Sequence, residues 1–137
     1  EGLEKELPIK KKKVVQKREE KTVLFYVYQN RLGLIKKEEG LLKGFYSPIF
    51  IEKWLTLVDV ENDCTDKNIR ASVIALKDIQ YVFTHRIWEM KGYLILLKDI
   101  YNENDLIYSS IEEIEENIAI PSAYKEYILE IKKILNR

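Results

Sequence analysis

An α+β fold, a mixed β-sheet flanked by α-helices, is what the sequence predicts, on three observations. Short apolar and aromatic runs dominate the first two-thirds, the longest being "KTVLFYVYQ" and "IWEMKGYLILLK". The last third carries two helix signatures in succession, "SSIEEIEEN" and an apolar stripe running from Tyr124 to Leu135. At 137 residues, 46% hydrophobic and 34% charged, the chain has a globular composition and is long enough to bury one core.

The opening "EGLEKELPIKKKK" has a proline, charges of both signs and no period. Residues 1–13 therefore read as an interdomain connector and 14–137 as the domain, with Lys11 to Val15 turning into an edge strand. Its abrupt start is expected of a chain cut from something longer. "KTVLFYVYQ" is nearly continuous in apolar residues, as in a central strand covered on both faces. Gln29–Arg31 is the predicted turn and 32–36 the returning strand. "EEGLLKGFYSPIF" predicts a loop entering a short strand near 46–50. Ile51, Trp54, Leu55 and Val58 share one helical face, so a helix is expected within 51–65.

"IRASVIAL" and "IQYVFTH", separated by Lys77 and Asp78, read as two strands or one bent pair. In the long strand that follows, Trp88, Met90, Leu94 and Leu96 share a face. "DLIYSS" is a short strand, and Ser110 with Glu113 has the spacing of a capping box opening a helix. Pro121 suits the start of the last helix, whose stripe is Tyr124, Tyr127, Ile128, Ile131, Ile134 and Leu135.

Charge and cysteine content exclude several classes. Formal net charge is zero, so the chain is no polycation and nucleic-acid binding by this piece should be weak and local. Residues 1–21 hold eight Lys or Arg against five Glu, while 99–117 hold seven Asp or Glu and no base. A polyanionic partner should therefore meet the first segment and not the second. Cys64 is the single cysteine, which excludes an internal disulfide, a four-thiolate zinc site and a four-cysteine iron–sulfur cluster within this chain. It reads as a reduced intracellular thiol. With no apolar run long enough to span a bilayer and no signal-peptide pattern, the expectation is a cytoplasmic monomer without a membrane partner.

"QYVFTHRIWEMKGYLILL" holds the only histidine, His85, beside an aromatic and a hydroxyl side chain. Phe83-Thr84-His85 followed by Trp88, Met90 and Tyr93 resembles the Phe-Ser-His-x-x-Trp-x-Met-x-x-Tyr segment of A/G-specific adenine DNA glycosylases. That family carries the segment in a C-terminal domain with the Nudix fold. "LPIKKKKV" is similar to its connector, and "GLLKGFYSP" to its Gly-Leu-Leu-Ala-Gly-Leu-Trp-Glu-Phe-Pro element. "SSIEEIEENIAIPSAYKEYI" resembles its closing segment, so the resemblance covers nearly the whole chain. Thr84 stands where serine is usual, Tyr46-Ser47-Pro48 replaces Trp-Glu-Phe-Pro, and Tyr124 takes the place of a common histidine.

The resemblance implies a domain that reads 8-oxoguanine opposite the adenine to be excised in base-excision repair. Its partners would be double-stranded DNA with 8-oxoguanine:adenine mispairs and the upstream catalytic domain of the same polypeptide. The excision chemistry and an iron–sulfur cluster would belong to that upstream domain, leaving this chain with no cofactor and no activity of its own. Oxidation at C8 turns N7 into an N–H donor and adds a carbonyl acceptor beside it, so a reader must accept at one atom and donate close by. The Thr84 hydroxyl can do either, and backbone groups of the same turn can supply the other half. His85 is a donor to a phosphate or the base edge, and Phe83 a wedge or a plain core residue. Trp88, Met90 and Tyr93 are assigned to the core. Arg86 is a phosphate candidate by position. Lys10, Lys11, Lys12, Lys13, Lys17, Arg18 and Lys21 are phosphate candidates or a solubilising run.

Two other readings stay open. A free-standing Nudix-like hydrolase with an altered site would cleave nucleoside diphosphate derivatives. That chemistry uses the signature Gly-x5-Glu-x7-Arg-Glu-x2-Glu-Glu-x-Gly, whose glutamates hold divalent metals. After Gly44 the chain runs "FYSPIFIEKWLTLVDVENDCTDK", with no Arg-Glu-x-x-Glu-Glu. The third reading is a protein-interaction module using an exposed sheet face.

Overall fold

A computed structural model describes residues 16–38 and 43–137 of the chain. Two long parallel strands form its axis: β1, Lys17–Tyr28, and β7, Arg86–Leu97, paired in register from Lys17↔Arg86 to Val27↔Leu96. Beside β1 lies β2, Arg31–Lys36, which pairs with the two-residue β3, Tyr46–Ser47, and with β8, Ile107–Ser110. The start of β1 pairs instead with β4, Ile49–Ile51. On the far side β7 takes β5, Ala71–Ala75, along its second half and β6, Ile79–Val82, along its first. The eight strands make one mixed sheet.

Helices cover both faces, which is why β1 is apolar at successive positions and not at alternate ones. Val23, Phe25 and Val27 face the layer built by α2, Ile111–Asn117, and α3, Lys125–Leu135, where Tyr127, Ile128 and Ile131 are buried. Leu24 and Tyr26 face α1, Leu57–Asp66, whose buried residues are Val60 and Cys64. Trp88, Met90, Leu94 and Leu96 all lie in the α3-side cluster, as the alternation predicted. Every position of the predicted terminal stripe lies in that cluster too, although α3 begins only at Lys125, after a 3-10 turn over Ser122–Tyr124 that Pro121 precedes.

Three expectations are corrected. The β1–β2 turn is Gln29–Asn30, both with left-handed φ (50° and 62°), so the returning strand starts one residue early, at Arg31. This is the conformation a two-residue hairpin needs to match strand twist. Two short strands, β3 and β4, occupy the stretch expected to hold one. The mid-chain helix lies in the expected stretch, at Leu57–Asp66, but Ile51, Trp54 and Leu55 do not join its face, because the segment before it is tied down across the sheet. Buried Thr22 donates through Oγ1 to the Lys53 carbonyl (2.7 Å) and accepts from the Leu55 N–H (2.8 Å), while the Tyr93 hydroxyl donates to the Leu55 carbonyl (2.7 Å). Only past these anchors does Thr56 open α1, in a reciprocal cap with Asp59. The Ser110–Glu113 cap forms as the spacing predicted. Residues 1–15, and with them the expected connector and edge strand, lie outside the described residues. No helix among the described residues is long and apolar enough to cross a membrane.

Burial also sets how the fold responds to alkali. Burial pushes the Tyr124 hydroxyl up to about 12, and it raises Tyr26 and Tyr127 further. An unfolded tyrosine ionises near pH 10, so above that pH the unfolded chain holds fewer protons than the folded one and stability falls as pH rises. Urea denaturation at pH 8, 10 and 11.5 should give a midpoint that is lowest at pH 11.5. A midpoint flat from pH 10 to 11.5 would contradict the burial of these hydroxyls.

Candidate nucleic-acid interface

Thr84 and His85 form the two-residue tip between β6 and β7, and both are exposed. Val82 pairs with Ile87, and the Phe83 N–H donates to the Arg86 carbonyl (2.7 Å), closing the tip. The run of apolar residues stops here because the chain reverses into solvent, where hydroxyl and imidazole cost nothing to leave hydrated.

Gln16, just before β1, and Lys17, its first residue, hold the tip. Gln16 Nε2 donates to the carbonyls of Phe83 (3.2 Å) and Thr84 (3.4 Å), and the Lys17 N–H donates to that of His85 (3.0 Å). Three successive carbonyls are thus occupied on one side. Among the described residues, the N–H groups of Thr84 and His85, the Thr84 hydroxyl and the imidazole have no hydrogen-bond partner. The exposed tip therefore has unengaged backbone donors next to a hydroxyl that can donate or accept.

Phe83 points the other way. Its half-buried ring packs edge-on between Tyr81 (centroids 4.9 Å) and Trp88 (4.8 Å), and Trp88 leans on Tyr124 (5.9 Å). This aromatic ladder anchors the turn to the core and assigns Phe83 to packing in this conformation. Trp88, Met90 and Tyr93 are core residues, as expected. Tyr124, where the resembled family often has histidine, is buried at the foot of the ladder.

Glu19, which sequence reasoning did not single out, ties two ends of the site together. Its carboxylate accepts from Arg86 Nη1 (2.6 Å) and from the Trp88 indole N–H (2.9 Å). The Arg86 side chain stays 58% exposed, and the pair uses one of its five N–H donors, so it can still meet a phosphate. Arg18 is paired with Glu89 (3.2 Å), which offsets its charge. Lys17 is exposed.

Lys21 is a correction: it is 4% exposed and cannot reach a phosphate. Its ammonium sits 4.1 Å from the Phe50 ring centroid and 4.5 Å from that of Trp88, with Glu52 at 3.8 Å. Desolvation lowers its pKa, opposed by the carboxylates of Glu52 and Glu19. Two aromatic faces satisfy a buried cation where water would otherwise be needed. The tetralysine run Lys10–Lys13 lies outside the described residues. Cys64 is buried against the α1 layer, and desolvation raises its thiol pKa, so it is a packing residue and no nucleophile.

On α1, two of the four carboxylates are engaged locally: Asp59 in the cap with Thr56, and Asp63 with Lys67 (3.2 Å). Among the described residues, no cluster of three or more His, Cys, Asp or Glu side chains is placed to hold a metal ion.

No protein-family model and no curated protein matches the sequence. Solved structures do match the fold. The NUDIX domain of Shewanella oneidensis NrtR, solved with ADP ribose, superposes with a TM-score of 0.55 at 10% identity, over 88% of this chain and 89% of that one. The MutT NUDIX hydrolase from Burkholderia pseudomallei gives 0.53 at 14% identity, over 84% and 98%. The chain has the Nudix fold. A third Nudix-fold neighbour is the C-terminal domain of mouse MUTYH, solved in complex with human PCNA, with a TM-score of 0.58 at 14% identity over 84% of this chain and 89% of that one. The same fold thus occurs in a hydrolase, in a domain that binds ADP ribose and in a domain that binds another protein. Only the site can separate those uses in this chain.

Proposed function

We propose that this Nudix-fold domain is the lesion-reading domain of an adenine DNA glycosylase, holding 8-oxoguanine in duplex DNA while a separate catalytic domain removes the opposite adenine. The observation that carries it is the tip at Thr84 and His85, exposed, with the carbonyls of residues 83–85 engaged by Gln16 and Lys17 and its N–H groups and hydroxyl left without a partner among the described residues. A backbone N–H suits the C8 carbonyl of the lesion, and the Thr84 oxygen suits the new N7–H. Normal guanine has neither group: its C8 carries only a hydrogen, which leaves the backbone N–H without an acceptor, and its N7 has no proton to give to the Thr84 oxygen. Arg86 would steady the duplex through a phosphate. The solved neighbours support the fold alone, so the choice rests on this tip and on the Phe83-to-Tyr93 string.

The test is an NMR titration of the chain with two duplexes differing only in 8-oxoguanine or guanine opposite adenine. Amide shifts centred on residues 84–86, with tighter binding to the lesion duplex, are expected. Equal affinity for both, or no shifts at this turn, would overturn the proposal. Magnesium-dependent cleavage of ADP ribose or a nucleoside diphosphate derivative by the same chain would establish the hydrolase reading instead.

A further inference from the structure

We propose that Gln16 is a positioning residue that fixes which hydrogen-bonding groups the 84–85 tip presents, and so sets its specificity; this rests on the lesion-reading function above. Neither Thr84 nor His85 has a left-handed φ, and the tip contains no glycine, so turning the peptide plane between them would carry His85 to a disfavoured positive φ, but no ring and no hydrogen bond from within the tip holds the Thr84 carbonyl in place. Rotating that plane would carry the Thr84 carbonyl outward and the His85 N–H inward. The outward side would change from donor to acceptor, the wrong sign for a C8 carbonyl. One side chain opposes this rotation: the Gln16 carboxamide, whose N–H groups span the carbonyls of Phe83 and Thr84. Lys17 then closes the first backbone bond of the parallel pair, to His85, so the hold continues directly into the β1–β7 ladder. Gln16 is exposed and precedes the first residue of β1, so it contributes little to the core and is free to serve this one purpose.

The role needs a donor, not bulk. Gln16→Ala and Gln16→Glu remove it, the second with nearly unchanged shape, while Gln16→Arg restores N–H groups at similar reach. In the chain without DNA, nitrogen-15 relaxation dispersion should show exchange broadening at residues 83–86 in Gln16→Ala and Gln16→Glu. Wild type and Gln16→Arg should stay sharp, and all four should unfold at one urea midpoint. In the two-duplex titration, Gln16→Ala and Gln16→Glu should lose about fivefold of the wild-type preference for the lesion, as expected for one or two exposed hydrogen bonds, and Gln16→Arg should regain it. A turn that stays sharp in both donor-less variants overturns the positioning role, as does an undiminished preference. If the turn broadens as expected but wild type shows no preference between duplexes, the lesion-reading function fails and the positioning of the turn by Gln16 stands.

Discussion

Replacing Gly92 by alanine should destabilise the domain by about 3 kcal/mol or more, at the upper end of what overpacking a core costs. Gly92 is buried on β7, opposite Val23 of β1, and directly beneath the ring of Tyr127. A Cβ there would lie 2.4 Å from Cε1, 2.8 Å from Cζ and 3.0 Å from Cδ1 of that ring. The ring has no exit: Tyr127 is fully buried, packs on Phe25 with centroids 5.6 Å apart, and donates its hydroxyl to the Met90 carbonyl (3.2 Å). A flat aromatic cannot yield as a flexible side chain does, so either α3 lifts from the sheet or β7 bends. Glycine inside a strand is otherwise a loss, and close approach is the reason to keep one. Urea denaturation should report the cost, with the double variant Gly92→Ala, Tyr127→Leu less destabilised than the sum of its single changes, because the two share one space. An alanine variant within about 1 kcal/mol of wild type would mean that the ring is not where the close packing puts it.

Removing the tip's hydroxyl and imidazole together, Thr84→Val with His85→Ala, should abolish the preference for 8-oxoguanine over guanine while leaving the fold intact. Valine has nearly the shape of threonine, and position 84 does not have a left-handed φ, so the substitution introduces no backbone strain. Neither side chain has a partner among the described residues whose loss would unsettle the core. On the proposed reading the substitution removes the side-chain oxygen that would accept from N7–H, and the loss should be about 10-fold to 100-fold in the preference, the range of a well-made base-edge pair. Thr84→Ser should retain the preference, since the hydroxyl survives. Titration of the two duplexes with each variant checks this, and a preference that persists in the double variant removes Thr84 and His85 from the site.

Local pattern carried much of this protein. Alternation placed Trp88, Met90, Leu94 and Leu96 on one face of β7, and the helical stripe put Tyr127, Ile128 and Ile131 in the core. The Ser110–Glu113 spacing marked a helix start. Each depends on residues within a turn or two of one another, and their periodicity needs no knowledge of the rest of the chain.

The tertiary structure alone decided everything that depends on β1 lying parallel to β7. Gln16 reaches the tip across 67 residues of sequence, and Glu19 reaches Trp88 across 69. Lys21 looked like a surface cation because lysine usually is one. The register Lys21↔Met90 instead buries it against the rings of Phe50 and Trp88. Residues 53–55 likewise stay out of the mid-chain helix because Thr22 and Tyr93, from two other strands, hold them across the sheet. Periodicity states which face of an element is apolar, but not which element will cover it. Pairing between distant segments is fixed by the summed burial of the whole sheet, so the partners of a side chain at a strand's end emerge only when that sheet has formed.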